Sequence, residues 1–242
     1  MADEVARVLE LMNELVSDRA YAVGDRPFPR PVSEADATLI SRKLQEAVEE
    51  GTEVRTRKAV EDGLTIACSM GCNACCQQPI LIWLPEAMVV AEHLRQPENA
   101  DVREAFLAAY PAWRAAVGDA LEECAVEGAS QDWARFRRAH DAAWSKRVLC
   151  AFNRDGLCSI YPVRPVVCRH YHALDTADHC RYGSNVQPAH IDFKPLDEFV
   201  SRAKLVGSAM HHALGAPRMR MVALCTAVYD MLMGGAGGAV GS

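Results

Sequence analysis

A dense group of cysteines is the feature that most constrains how this chain can fold. Four thiols lie within nine residues, in the stretch Cys68-Ser-Met-Gly-Cys72-Asn-Ala-Cys75-Cys76. A second group follows downstream and comprises Cys150, Cys158, Cys168 and Cys180. Eight thiols can provide two complete sets of four metal ligands, or one cluster with sulfurs to spare. The sequence therefore predicts that metal-binding thiols join distant parts of the chain, and that the function lies at or beside them.

Composition narrows the class of protein. The chain has 242 residues, half of them hydrophobic, which is enough to bury a core without metal. The residues before Tyr21 form no apolar signal-peptide core, and no apolar run approaches the length of a membrane span. We therefore expect a cytoplasmic protein whose clustered cysteines are metal or redox ligands rather than disulfides. The net charge of −6 argues against nucleic acid or an anionic membrane as partner.

Hydrophobic periodicity predicts a mainly α-helical fold. Ser33 followed by Asp36 is typical of a helix N-terminus, and Pro85-Glu86 indicates another helix start, with an end before Pro97. Further predicted elements are an N-terminal helix through residues 5–16, an extended connection over residues 24–31, and two C-terminal helices, one running from Pro195 to a stop at Gly215 and one carrying Leu224 and Cys225.

The segment between the two cysteine groups carries two apolar stripes at helical spacing. One runs from Phe106 to Cys124 and contains Pro111, which is expected to kink or split the helix. The other runs from Trp133 to Trp144. We interpret the two stripes as an antiparallel helix pair.

The sequence around Cys150, Cys158 and Cys168 has turn and proline signals instead of helical periodicity. Asp155-Gly156 between apolar flanks predicts a β-hairpin, and the two prolines of residues 161–165 predict a rigid extended segment. We expect one domain over residues 1–233, in which a small irregular metal-binding lobe (residues 66–84 and 148–182, with the short hairpin) flanks a helical insert over residues 98–147. Residues 234–242 are expected to be a disordered tail.

Adjacent cysteines bear on the number of sites. The side chains of Cys75 and Cys76 are expected to point in different directions, so one ion is not expected to take both. This favours two nearby sites, or one site with a free thiolate beside it. The remaining cysteines, Cys124 and Cys225, lie on apolar helical stripes and are interpreted as small buried side chains rather than ligands.

Cationic and imidazole side chains surround the second group. Arg164 and Arg169 are candidate cofactor-binding residues, because guanidinium groups offset the charge of thiolates; a solvated basic face is the alternative. His170, His172 and His179 are interpreted as hydrogen-bonding neighbours of the ligands or plain surface, although imidazole also suits zinc and iron.

These residues resemble the YkgJ-type family, described as a zinc- or iron-chelating domain with a CxxCxxCC signature. The similar stretches are Cys68-x3-Cys72-x2-Cys75-Cys76, then Cys150-x7-Cys158-Ser-Ile-Tyr-Pro-Val-Arg-Pro-Val-Val-Cys168-Arg, then Cys180. The spacing of three residues after Cys68 departs from the signature. The resemblance implies metal binding through the eight cysteines, and a related arrangement in flagellin lysine N-methylase implies an iron–sulfur enzyme.

Three functions follow as expectations. The first is a metal-binding protein that holds an iron–sulfur cluster, or alternatively zinc, through its thiolates. The second is a metal-dependent enzyme that modifies a protein or peptide by methyl transfer or redox chemistry. The third is an interaction module with structural zinc. The first spacing also matches radical S-adenosylmethionine enzymes, but those are built on βα repeats and carry an aromatic residue where this chain has Ala74.

Overall fold

A computed structural model describes residues 33–130, 132–216 and 220–234, and this part of the chain is mainly helical, as predicted. The α-helices are α1 (Glu34–Glu61), α2 (Leu84–Arg95), α3 (Ala100–Trp113), α4 (Asp119–Ala129), α5 (Trp133–Ser145), α6 (Val166–His170), α7 (Lys194–Ala213) and α8 (Leu224–Leu232). The short strands are β1 (Leu81–Ile82), β2 (Asn153–Arg154), β3 (Leu157–Cys158) and β4 (Val222–Ala223). The predicted N-terminal helix, the connection after it and the tail beyond Gly234 lie outside the described residues.

The predicted helix starts at α1 and α2 are confirmed. The Ser33 hydroxyl accepts a hydrogen bond from the Asp36 N–H at 3.1 Å, which satisfies one of the free N–H groups of the first turn of α1. At α2 the Glu86 carboxylate accepts from the Trp83 N–H at 3.2 Å. The same carboxylate accepts from the Val166 N–H at 2.9 Å, so Glu86 also fixes the start of α6.

The insert contains the predicted helix pair, since α4 packs against α5. Pro111 lies inside α3 rather than splitting it, and a π-helical segment, Arg114–Gly118, joins α3 to α4. Proline offers no N–H to the carbonyl four residues earlier, which weakens the regular hydrogen-bond ladder there. The wide turn of the π-segment takes up one extra residue, and Trp113, Val117 and Leu121 therefore remain on one buried face.

Helix α2 is central, because it contacts α1, α3, α7 and α8. Its Val89, Val90 and Leu94 side chains are completely buried. One apolar cluster joins α2 to α3, α4 and α8 and includes Phe106 stacked on Phe152 at 4.2 Å. A second cluster joins α1 to α7. Among the described residues, the second cluster contains no cysteine, and Cys225 is the one buried cysteine of the first, so burial of apolar area is the main term that favours this helical frame.

Three backbone connections bring distant cysteine segments together. Strand β1 pairs with β4 antiparallel, with Leu81 opposite Ala223. The Cys150 N–H donates to the Cys76 carbonyl at 2.8 Å, and the Ala67 N–H donates to the Ala173 carbonyl at 2.9 Å. The loops that carry the thiols are therefore anchored by backbone hydrogen bonds.

The predicted hairpin is confirmed: β2 and β3 are joined by Asp155 and Gly156, whose φ angles are 51° and 86°. Two positive φ angles are typical of the tight turn that matches strand twist.

The prediction of an extended segment over residues 161–165 is wrong in part. Tyr161–Val163 forms a 3-10 turn, and α6 begins directly after Pro165. Proline is compatible with the first turn of a helix, so both prolines mark helical starts here.

Candidate metal centre

The first cysteine group lies on a loop that closes with a short turn. Cys68 follows the backbone contact with residue 173, and Cys72 follows Gly71, whose φ of +88° is the left-handed conformation that glycine tolerates. Cys75 and Cys76 lie on the 3-10 turn Ala74–Gln77. Burial of the four residues is partial.

The second group is dispersed over four different local structures. Cys150 lies in the loop after α5, Cys158 ends strand β3, Cys168 lies on α6, and Cys180 ends the 3-10 turn Ala177–Cys180. That last turn packs against the turn Ala74–Gln77. The structure therefore brings the two groups into one region, as the sequence predicted for the lobe, although the grouping differs from the order of the cysteines along the chain.

Four thiols from three segments form what we call the inner set: Cys75, Cys150, Cys158 and Cys168. Every pair within the set is close enough for one sulfur to raise the pKa of another. Burial is the main cause for Cys158 and Cys168, and repulsion from the other thiolates adds to it. For Cys150 the largest cause is a hydrogen bond with Cys225, and for Cys75 a hydrogen bond with Cys76. All four pKa values are raised.

Three further thiols form the outer set: Cys68, Cys72 and Cys180. Cys180 is buried, and its pKa is raised to about 11 by burial and then by the charges of Cys68, Cys72 and Cys75. Burial also raises the pKa of Cys68, while a hydrogen bond from the Ala173 N–H to its Sγ at 3.4 Å acts against this. The charge of Cys75, a member of the inner set, also raises the pKa of Cys68 and Cys180 in the outer set.

Cys225 is a thiol that the sequence did not assign to this region. It is 2% exposed on α8, as the apolar stripe predicted, but its Sγ lies 3.6 Å from the Sγ of Cys150. Both sulfurs and Cys76 line a small cleft of about 20 Å³ whose other walls are mostly apolar. The pairing of β1 with β4 is what places the start of α8, and therefore Cys225, in this region. This pairing could not be predicted, because strands of two residues show no recognisable pattern in a sequence.

The two candidate cofactor-binding arginines share one carboxylate. Arg164 and Arg169 donate to Glu49 on α1 at 3.1 Å and 2.6 Å. Arg169 also donates to the carbonyl oxygens of Arg164 and Pro162, both at 2.6 Å, so its guanidinium holds the loop before α6. Arg164 lies over the Tyr161 ring at 3.9 Å. Its charge acts to lower the pKa of Cys75 and Cys158, against the larger effects of hydrogen bonding and burial.

Arg55 is a third cation of this region, which the sequence reasoning missed. It extends from α1, is 4% exposed and donates to the carbonyl oxygen of His170. Its charge acts to lower the pKa of Cys68, and burial lowers the pKa of Arg55 itself. Arg55 lies on α1, which ends before the first cysteine group begins, and no spacing or motif in the sequence indicates that its side chain reaches the loop at His170.

The three histidines have different neighbours. His170 Nδ1 lies 3.0 Å from the Val166 carbonyl oxygen, and His172 Nδ1 lies 3.0 Å from the Thr56 hydroxyl. Burial, with help from nearby arginines, lowers the pKa of His172 to about 4. The Nδ1 of His179 is buried and finds no hydrogen-bond partner among the described residues.

A larger cavity, of about 410 Å³, borders the outer set at Cys180. Its walls include Tyr171 and His179, together with Trp144 and Tyr182, whose rings meet edge to face at 5.7 Å. Amide, hydroxyl, carboxylate and aromatic groups all face this space. The cavity therefore offers room for a ligand beside the thiols.

The donor chemistry of the inner set suits zinc and iron, because thiolates are the ligands that both metals take in closed four-sulfur sites. In the described parts of the chain, no three His, Cys, Asp or Glu side chains are arranged to hold an ion directly. Two pairs of free thiols are instead joined by hydrogen bonds, Cys150 with Cys225 and Cys75 with Cys76. A cysteine side chain reorients about one torsion, so the positions of these sulfur atoms depend on the rotamer of each residue.

Comparison of the chain with models of protein families, with curated proteins and with solved structures found no match. None of the helices in the described residues combines the length and the apolar character that a membrane crossing requires.

Proposed function

We propose that this protein binds a metal centre through the inner set of thiols, and that the centre is an iron–sulfur cluster in preference to zinc. The observation that carries the proposal is the electrostatic coupling of Cys75, Cys150, Cys158 and Cys168, which come from three segments of the chain. Two of these segments are held together by the hydrogen bond from the Cys150 N–H to the Cys76 carbonyl at 2.8 Å. Buried cysteines that serve only as small apolar side chains have no reason to gather in this way.

The electrostatics support a bound cation. Each thiolate of the inner set makes ionisation of the next one harder, so thiols at this density stay protonated when no cation is present. A bound metal ion favours the thiolate form instead, because each ligand loses its proton on coordination and the positive charge of the metal offsets the charge of the thiolates. Arg164 contributes in the same direction at Cys75 and Cys158.

Iron is preferred over zinc for two reasons. The resemblance to flagellin lysine N-methylase implies an iron–sulfur enzyme, and the thiols outnumber the ligands of a single tetrahedral ion. One cluster held by the inner set leaves the outer set for a second metal or for chemistry at the cavity. Two closed zinc sites would instead occupy all eight predicted cysteine ligands, four for each ion, which is typical of a structural module.

The first experiment is anaerobic purification followed by metal and sulfide analysis. We expect iron and sulfide with visible absorbance in the wild-type protein. Cys75→Ser and Cys158→Ser are each expected to lower bound metal, because their thiols come from different segments of one site.

Cys124→Ala is the matched control, since Cys124 is fully buried on α4 and belongs to neither set. It is expected to keep its metal. Unchanged metal content in Cys158→Ser would show that the two cysteine groups do not cooperate. A colourless wild-type protein with two zinc ions per chain would instead favour the structural-zinc interaction module.

A second candidate is a metal-dependent enzyme that modifies a protein or peptide, by methyl transfer or redox chemistry. The cavity beside Cys180 favours it, because a catalytic metal needs an open coordination position and space for a substrate. Azide or cyanide added to the metal-loaded protein should then change its spectrum. A spectrum that does not respond to either anion counts against the enzyme.

A further inference from the structure

The contact between Cys150 and Cys225 joins a predicted ligand to a thiol that had no predicted role. The two Sγ atoms lie 3.6 Å apart, within the range of a hydrogen bond that involves sulfur. Cys225 is almost completely buried, and both sulfurs lie on the wall of the same cleft. Cys225 belongs to the apolar cluster around α2, and Cys150 packs against that cluster, so the contact lies in a mostly apolar environment.

Backbone structure holds Cys225 at this place. It is the second residue of α8, and the preceding strand β4 pairs with β1. The Leu224 N–H donates to the Ile80 carbonyl at 3.1 Å, so the start of α8 is tied to the segment directly after Cys76. Cys150 is tied to the other side of the same segment through the Cys76 carbonyl. The distance between the two sulfurs is therefore set by the frame of the lobe.

We propose that Cys225 donates a hydrogen bond from its S–H to the thiolate sulfur of Cys150 when Cys150 binds metal, and that Cys225 is thereby a positioning residue of the metal centre. The proposal rests on the proposed function. A metal-bound cysteine sulfur carries no proton, so Cys150 can only accept in this state. The Cys225 thiol, which is not one of the four ligands of the inner set, is the S–H donor within reach of that sulfur.

The inner set has four thiols without Cys225, which is the number of ligands that a closed zinc site or a four-iron cluster takes from cysteine. We therefore infer that Cys225 does not bind the metal itself but contacts and orients the ligand Cys150. Loss of such an orienting group weakens metal binding by about 10–100-fold. In an iron–sulfur centre, hydrogen bonds to the sulfurs also set the reduction potential.

The test compares donor-retaining and donor-free variants at position 225. Cys225→Ser keeps an O–H donor, whereas Cys225→Ala and Cys225→Val remove the donor; the valine variant also fills the volume and guards against loss of the fold. Metal retention is measured by competition with a chelator, alongside the reduction potential where the metal is iron. Cys124→Ser and Cys124→Ala are the controls for a buried cysteine outside both sets.

We expect Cys225→Ala and Cys225→Val to bind metal about 10–100-fold more weakly and Cys225→Ser to stay close to wild type. Retention in all three variants would overturn the proposal and make the contact mere packing. Equal loss in all three would also overturn it and make Cys225 a ligand. A wild-type protein that binds no metal would instead refute the proposed function, so the two failures are distinguishable.

Discussion

Glu49 is the carboxylate that holds both arginines of the cysteine lobe to α1. Its partner Arg169 has a side chain that is 6% exposed, so removal of the carboxylate charge leaves a buried cation without a counter-ion. We expect Glu49→Gln to lower the free energy of unfolding by about 3 kcal/mol, as measured by urea denaturation at neutral pH.

The control for that substitution is Glu92→Gln, because Glu92 pairs with Arg42 on the surface at 3.2 Å, with both side chains 40% or more exposed. Surface pairs contribute less than about 1 kcal/mol. Equal effects of the two substitutions would mean that the buried pair contributes no more than the exposed one.

At the scale of single residues, the sequence predicted which cysteines lie together but not how they are grouped. Cys180 belongs to the second group along the chain, yet it interacts with Cys68 and Cys72 of the first. The reason is the backbone contact between residues 67 and 173, which draws the loop before Cys180 onto the first group. Local spacing carries no information about a contact between segments about 100 residues apart.

Helical elements were predicted best where a local chemical signal marks an end. Ser33 with Asp36 and Pro85 with Glu86 marked starts, and Gly215, with a φ of +83°, follows the end of α7 as predicted. The short helix α6 was missed, because two prolines within five residues read as an extended chain. Five residues are too few to show a helical period.

The π-helical segment between α3 and α4 gives a prediction at this scale. Deletion of the exposed Ala116 should convert the segment to regular α-helix and leave Trp113 and Leu121 on the same buried face. We expect the Tm, followed by circular dichroism, to fall by less than about 4 °C.

Deletion of Ala142 in the regular helix α5 is the comparison, since it rotates every later residue by about 100° relative to Ala139. That variant should lose more than about 10 °C. Equal decreases in Tm for the two deletions would mean that the extra residue of the π-segment is not what keeps Trp113 and Leu121 on the same face of the helix.

Two large apolar clusters hold the helices of the described residues, and most of their buried members are aliphatic or aromatic side chains rather than thiols. We therefore expect the metal-free protein to keep its helical circular dichroism. Bound metal at 1,000 times its dissociation constant adds about 4 kcal/mol of stability, so a chelator should lower the Tm by about 10 °C.

Collapse of the helical signal on chelation would contradict this expectation and would make the metal essential to the fold. Hydrogen exchange offers a finer readout of the same experiment. Faster exchange on chelation should be confined to the cysteine lobe, where backbone hydrogen bonds are few and mostly between loops.

The pairing of β1 with β4 has a consequence for the order of events during synthesis. Residue 82 leaves the ribosome 140 residues before its partner at position 222, a delay on the order of ten seconds at typical rates of elongation. Throughout that interval the first cysteine group has no α8 beside it, and α6 is also absent for the first part of it. Under the proposed function, the part of the site that depends on α8 is completed only after the C-terminal strand has been made, and until then the nascent chain carries a row of free thiols.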